Sequence, residues 1–228
     1  MSRIIPFLYL LGCLTARSSE TWTDALARMP LPANTTTLNR TNCAEVLLGS
    51  FQSNATVKAL LVMPGATDEL YFFRRAQAVV TNQNPSVLDA VVALTNQTHI
   101  RAVFRPPFLL LHSGEDLLDL DITVKHPGTL EKLQSRPTVP HWIFFDRDWD
   151  ALRAAIKGHI GPIIWPGPFS KDSRHFYRHT FAAWNLTGWE TLEAVAYTSR
   201  ATITVRHGSV VFDTDMRVGQ LPKLEHFP

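Results

Sequence analysis

The sequence predicts an α+β fold of two small domains, built from repeated strand-helix-strand units with mixed sheets. Residues 185–214 have the pattern of a short capped helix followed by a hairpin, and weaker versions of the unit recur at 36–63, 85–104 and 120–146. One such unit cannot cover its own apolar face, so two units are expected in each domain. The predicted domains are residues 20–116 and 117–228, preceded by an export signal in residues 1–19.

The N-terminal segment has the layout of a secretory signal. Arg3 is followed by an apolar run over residues 4–11, which is too short for a membrane-spanning helix of about 20 residues. Cleavage after Ala16 competes with a bacterial lipobox that ends at Cys13, the candidate lipidation site. We expect an exported protein of the periplasm or outer membrane, held to the membrane only by an N-terminal lipid, with a secreted chain as the alternative.

Composition argues against several classes of protein. Lys and Arg number 22 against 20 Asp and Glu, and no basic run alternates with aromatics, so no nucleic-acid partner is predicted. Cys13 and Cys43 allow at most one disulfide bond, and none if Cys13 is lipidated or removed. The stability of the fold must therefore come from packing.

The three weaker units are recognised by apolar periodicity. In the unit at 85–104, residues 88–91 align with residues 192–195, which matches Leu88 with Leu192. The unit at 120–146 comprises a strand, a helix that opens at Thr129, and a strand at 142–145. In the unit at 36–63 a strand over residues 57–62 follows a helix with an apolar stripe. That stripe consists of Ala44, Leu47, Leu48 and Phe51.

The last unit has the strongest local signals. Thr187 and Glu190 have the spacing of a capping box, in which each satisfies a backbone amide of the other. The helix is expected to be short and amphipathic. After Ala201 the apolar period becomes two, and His207-Gly208 falls where a two-residue hairpin turn needs a positive φ. This register places four apolar residues on one face. They are Ile203, Val205, Val210 and Phe212.

These units resemble the STN module found at the N-termini of secretins and TonB-dependent transducers. The resemblance rests on residues 84–94 and 185–195 and on the strands at 100–104 and 202–206. It implies an envelope protein-interaction or assembly module that contacts another envelope protein and has no catalytic residue or cofactor. The partner is expected to add a strand to an exposed sheet edge or to bind the hairpin at 202–212.

Two patterns suggest chemistry, and each has a simpler interpretation. Asp146 and Asp148 resemble the acidic motif of haloacid-dehalogenase-type phosphotransferases, so a hydrolase or phosphotransferase is the alternative function. A helix cap by Asp148 or Asp150 explains the same acids. His175 and His179 are four residues apart, a spacing that suits metal ligands on a helix, but they lead into a strand. No metal or cofactor is therefore predicted.

The Pro- and Gly-rich loop at 161–168 is a candidate contact region because rigid aromatic loops often carry function. Its residues Ile163, Ile164 and Trp165, together with His207 and Gly208, are the predicted partner-binding residues. Trp165 packed under its own domain is an equally simple interpretation. Five Asn-x-Thr triplets keep an extracellular glycoprotein open as another alternative, although Asn and Thr are also favoured at helix ends. The triplets begin at Asn34, Asn39, Asn54, Asn96 and Asn185.

Overall fold

The computed structural model describes residues 20–39, 42–63, 76–112, 120, 122–135, 141–161, 163–164, 178–199 and 201–214. The helices are α1 (Trp22–Ala27), α2 (Cys43–Ser50), α3 (Val87–Gln97), α4 (Pro127–Ser135), α5 (Trp149–Ile160) and α6 (Gly188–Ser199). The strands are β1 (Thr37–Leu38), β2 (Ala59–Val62), β3 (Ala78–Val79), β4 (Arg101–Arg105), β5 (Phe108–His112), β6 (Ile122–Val124), β7 (Trp142–Asp148), β8 (Ile163–Ile164), β9 (Arg178–Ala183), β10 (Ala201–Arg206) and β11 (Ser209–Thr214). Cys13, Trp165 and His175 lie outside the described residues.

The strands form three sheets, and their mixed pairing confirms the α+β class. β1 and β3 make a two-stranded sheet, while the larger sheets have the strand orders β4-β5-β2-β9-β7 and β6-β10-β11-β8. In the five-stranded sheet β2 is parallel to β5 and antiparallel to β9. In the four-stranded sheet β10 and β11 form a hairpin flanked by the parallel strands β6 and β8.

Strands from both sides of the predicted domain boundary, which falls between residues 116 and 117, belong to the same five-stranded sheet. β2, from the first predicted domain, pairs with β9, from the second, in a register that runs from Ala59↔Ala183 to Val62↔Thr180. Separating the halves would leave these buried backbone groups without partners. The division into two separate domains at this point is therefore corrected to two halves that share one sheet.

The five-stranded sheet has a hydrophobic core on each face. Successive residues of a strand point to opposite faces, so Leu60 joins a core formed with α1, α2 and α3, while Leu61 joins a second core around Phe181. The second core contains Leu192 of α6. This helix contacts β2 and β9 on one side and β10 on the other, so it lies between the two larger sheets.

The expectation that α6 is amphipathic is wrong, because it is buried on nearly every side. Its buried residues include Leu192 and Val195 of the predicted stripe, and also Ala194, Thr198 and Ser199 outside that stripe. The hydroxyls are satisfied within the helix, since Thr198 Oγ1 donates to the Ala194 carbonyl at 2.9 Å. A helix that packs between two sheets needs small or apolar residues all round.

Two segments of the chain share the same local fold, a helix followed by an antiparallel hairpin. Val87 and Gly188 start the helices, and Phe108 and Ser209 start the second strands, so both pairs are 101 positions apart. We call α3-β4-β5 the first unit and α6-β10-β11 the second unit. In each, the last strand also pairs in parallel with a strand that precedes the helix, β2 with β5 and β8 with β11.

This register corrects the predicted alignment by three residues. Leu192 corresponds to Val91, and both are buried, whereas Leu88 corresponds to Trp189, and both are half-buried. The predicted segment at 120–146 does form a strand, a helix and a strand. However, β6 pairs with β10 and β7 with β9, so the two strands belong to different sheets.

Candidate functional site

β7 is the last strand of the five-stranded sheet. It has seven residues and pairs with β9 on one side, while no strand of the described chain pairs with its other side. An edge strand of this length leaves a row of backbone N–H and C=O groups that an extended peptide can bind. β7 is therefore the longest strand edge that the described part of the protein offers for strand addition.

Apolar side chains lie on both faces of β7. Trp142 and Phe144 pack against the second core, and the Phe144 and Phe181 ring centroids are 4.9 Å apart. On the other face Ile143 and Phe145 are 44% and 47% exposed, among the most exposed large apolar residues of the described chain. Because alternate residues of a strand share a face, exposed His141 continues the same row.

Aromatic stacking extends this row to Trp184, the residue that follows β9. The His141 ring stacks on Trp184 with a centroid distance of 4.5 Å and an interplanar angle of 25°. Trp184 also contacts Phe51, and its amide donates to the Lys58 carbonyl at 3.0 Å, so the indole is firmly placed. The exposed apolar area formed in this way is called the β7 surface. Its members are His141, Ile143, Phe145 and Trp184.

A β-bulge limits the part of β7 that can accept another strand. Phe144 pairs with Phe181 and Arg147 pairs with His179, so two residues of β7 stand opposite one residue of β9. A bulge bends and twists the strand, and charged residues on an edge oppose further pairing. Arg147 and Asp148 follow the bulge, so regular pairing with a partner is expected over residues 141–145.

Four of the five predicted contact residues lie in the other large sheet, and Trp165 is outside the described residues. Ile163 and Ile164 form β8, an edge strand parallel to β11, where a loop was expected. His207 and Gly208 form the predicted hairpin turn, with Gly208 at φ 64°. The register Ile203↔Phe212 and Val205↔Val210 also agrees with the prediction, and all four side chains are buried.

Sequence reasoning missed the β7 surface although its residues were within a predicted strand. A run such as Trp142 to Phe145 is apolar at every position, which indicates a strand buried on both faces. Only the sheet order shows that β7 is an edge and that Ile143 and Phe145 stay exposed. The available signal was the neighbouring acid-rich segment, since charges next to an apolar strand are typical of a protected edge.

Asp148 is the N-cap of α5. Its Oδ1 accepts a hydrogen bond from the Ala151 amide at 2.8 Å, which confirms the helix-cap interpretation. The cap accounts for this carboxylate without any chemical role. The side chain of Asp146 lies outside the described part of the structure.

His179 lies on a strand, β9, and not on a helix; His175, its predicted partner, is outside the described residues. The His179 side chain is buried, and its Nδ1 is 3.0 Å from Thr198 Oγ1. Burial lowers the pKa of His179 to about 3, against the opposing effect of Asp148. Within the described ranges no group of three or more His, Cys, Asp or Glu residues could hold a metal ion.

An ion pair ties α6 to the start of β2. Lys58 Nζ lies 2.6 Å from Glu190 Oε1, and Glu190 Oε2 accepts from the Thr187 amide at 2.7 Å. One turn later, burial raises the pKa of Glu193 to about 7; Glu190 adds to this rise, while a hydrogen bond from Trp189 opposes it. The Lys58–Glu190 ion pair joins the two halves of the chain.

The fold and this site define a class of protein: an α+β protein with mixed sheets and an exposed apolar edge strand. In the described part of the chain no helix is both long enough and apolar enough to cross a membrane. Comparison of the chain with protein-family models, with curated proteins and with solved structures finds no match.

Proposed function

We propose that this protein is an exported cell-envelope protein that acts as a non-catalytic protein-interaction or assembly module. Its partner, another envelope protein, adds a strand along β7. The observation that supports this proposal is the exposure of Ile143 and Phe145 on a strand whose outer edge pairs with no described strand. Kinship with STN-like modules, export and lipidation of Cys13 belong to the same proposal and rest on the sequence.

Two kinds of contact would contribute to binding. Backbone hydrogen bonds along residues 141–145 fix the partner strand, and side chains that alternate on it select the sequence. Full burial of a large apolar side chain contributes about 1.5–3 kcal/mol, so covering the exposed halves of Ile143 and Phe145 contributes about 2 kcal/mol. Trp184 stacked on His141 supplies the rigid aromatic area that is typical of binding hot spots.

The partner segment therefore has a definite chemistry. It is extended, it has apolar or aromatic residues at alternate positions facing Ile143 and Phe145, and it ends or turns before Arg147. A partner strand that continued past the bulge would face the charged residues Arg147 and Asp148. Its backbone hydrogen bonds would also be out of register with β7 beyond Phe144.

The double variant Ile143→Lys with Phe145→Lys tests this proposal. Lysine is tolerated on a strand edge but opposes docking of an apolar strand, so we expect at least about tenfold weaker binding. Partners captured from envelope membranes by the wild-type chain supply the ligand. Val92→Lys is the matched control, because Val92 is 45% exposed on α3, a helix that packs against β3 and β4. Unchanged binding by a folded double variant would contradict the proposal.

Export is tested separately from strand addition. Palmitate labelling that is lost in Cys13→Ser supports the lipoprotein, whereas a mass shift on deglycosylation supports the extracellular glycoprotein. Neither result depends on β7. The two parts of the proposal can therefore fail independently.

A further inference from the structure

The hydrogen bonds of the five-stranded sheet show which way the backbone of β7 points. In a strand the N–H and C=O of one residue lie on one side, and those of the next residue lie on the other side. The Met63 amide donates to the Leu111 carbonyl of β5 at 2.8 Å, so the backbone of Val62 faces β9. Because Val62 pairs with Thr180, the backbone of Thr180 faces β2 and the backbone of Phe181 faces β7.

The same alternation places the N–H and C=O of Ile143 on the open edge. Phe181 pairs with Phe144, so the backbone of Phe144 faces β9 and that of its neighbour Ile143 faces away from the sheet. A second hydrogen bond agrees with this assignment. The Trp184 amide donates to the Lys58 carbonyl at 3.0 Å, which directs every second residue of β9, counted back from Trp184, towards β2 and again leaves Phe181 facing β7.

Apolar side chains border this edge on both faces of the sheet. Ile143 and Phe145 are exposed on the face of the β7 surface. On the opposite face Trp142 and Phe144 are half-buried, and their ring centroids are 5.8 Å apart at an interplanar angle of 65°. A strand paired with β7 places its side chains alternately on the two faces, beside the side chains of β7. Both faces of an added strand therefore meet apolar side chains.

We propose that the partner segment is a short strand that is apolar on both faces and exchanges backbone hydrogen bonds with Ile143. This inference rests on the proposed addition of a strand along β7 and names the kind of strand that fits there. A continuous apolar run is typical of strands from the interior of a sheet, whereas an alternating strand would place polar side chains beside one of the two apolar rows. The partner therefore donates an interior-type strand and not an amphipathic one.

Proline variants of the full chain test the direction of the β7 backbone. Proline has no N–H and is accepted in an edge strand where that N–H would face solvent. Ile143→Ala and Phe144→Ala remove the same side chains as Ile143→Pro and Phe144→Pro but keep the N–H. In thermal unfolding, the difference between the Pro and Ala variants should be small at residue 143 and several times larger at residue 144, where Pro removes a hydrogen bond to β9.

Two synthetic peptides test the chemistry of the partner. Lys-Lys-Val-Ile-Phe-Ile-Val-Lys-Lys is apolar on both faces, and Lys-Lys-Val-Thr-Phe-Thr-Val-Lys-Lys is apolar on one face only. In calorimetric titrations wild type should bind the first peptide at least about tenfold more tightly, because each Ile buries apolar area that Thr lacks. Binding of the first peptide should be about fivefold weaker in Ile143→Pro than in Ile143→Ala, the effect of one lost hydrogen bond.

The inference is overturned by any of four results. These are equal differences between Pro and Ala at residues 143 and 144, equal binding of the first peptide by Ile143→Pro and Ile143→Ala, no binding of that peptide by wild type, and equal binding of both peptides by wild type.

The variant Ile143→Lys with Phe145→Lys separates this failure from failure of the proposed function. If wild type binds both peptides equally and the double variant binds neither, the contact at β7 stands and the two-faced partner is wrong. If the double variant binds both peptides as wild type does, the proposed function fails as well.

Discussion

The first unit (α3-β4-β5) and the second unit (α6-β10-β11) have the same order of elements in the same register, yet their helices lie in different surroundings. α3 covers one face of the five-stranded sheet and leaves Val92 45% exposed. α6 lies between two sheets and is buried on nearly every side. The repeated local sequence pattern therefore determines where each helix begins, whereas the elements packed around the helix determine how much of it is buried.

The helix starts of the two units are alike. Asp89 Oδ2 accepts from the Ser86 amide at 2.7 Å, and Glu190 Oε2 accepts from the Thr187 amide at the same distance. Burial acts to raise the pKa of Asp89, but hydrogen bonds from Ser86, Asn82 and the Asp89 backbone together outweigh it, and the pKa is lowered. Both caps are reciprocal capping boxes, which form from residues three apart in the sequence.

The largest expected difference between the units comes from truncation of apolar side chains. Leu192→Ala removes a fully buried side chain between two sheets and should lower the free energy of unfolding by about 3 kcal/mol or more. Leu88→Ala removes a half-buried side chain and should cost about 1 kcal/mol. Urea unfolding measures both. Equal losses would show that Leu88 and Leu192 have equivalent surroundings, contrary to the corrected alignment.

The next effect concerns Val92 and Glu193, which occupy the same position in the two units. The pKa of Glu193 is raised from 4.5 to about 7, so its folded state favours the protonated form. The Glu193 carboxyl therefore adds to the free energy of unfolding below pH 4.5, and this contribution is lost as the pH rises through about 7. Glu193→Gln should therefore be more stable than wild type at neutral pH, by about 1–2 kcal/mol after allowance for solvent screening.

Urea unfolding of wild type and Glu193→Gln over a pH series checks this prediction. Val92→Gln is the control, because it places the same amide at the equivalent exposed position. Its stability difference from wild type should not change with pH over the same range. A stability gap between wild type and Glu193→Gln that stays constant with pH, or that narrows as the pH rises, would contradict this prediction.

The smallest expected effect comes from removing the N-caps of α3 and α6, and it shows whether the two caps are equivalent. Ser86→Ala and Thr187→Ala each remove one capping oxygen and should each cost about 1 kcal/mol. Thermal unfolding measures the losses, with Ser86→Thr and Thr187→Ser as variants that keep the cap. A loss at Thr187 several times larger than at Ser86 would mean that the Lys58–Glu190 ion pair depends on the cap, and the units would then differ at their helix starts as well.

Local features of the sequence were sufficient for several parts of this structure. Thr187 with Glu190, the turn at His207-Gly208 and the apolar hairpin face were all predicted and confirmed. The acidic run predicts a helix cap by Asp148 or Asp150, and Asp148 is the residue that caps α5. Each of these depends on residues that are close in sequence, so their geometry follows from spacing and backbone preferences.

The sequence by itself determined the α+β class, the capping box at the start of α6 and the hairpin register of this protein. Only the tertiary structure decided that β2 joins β9, that α6 lies between two sheets, and that β7 is an edge with Ile143 and Phe145 exposed. Capping and turn formation involve neighbours in the chain. Sheet order and burial depend on pairings between distant segments, which apolar periodicity does not specify.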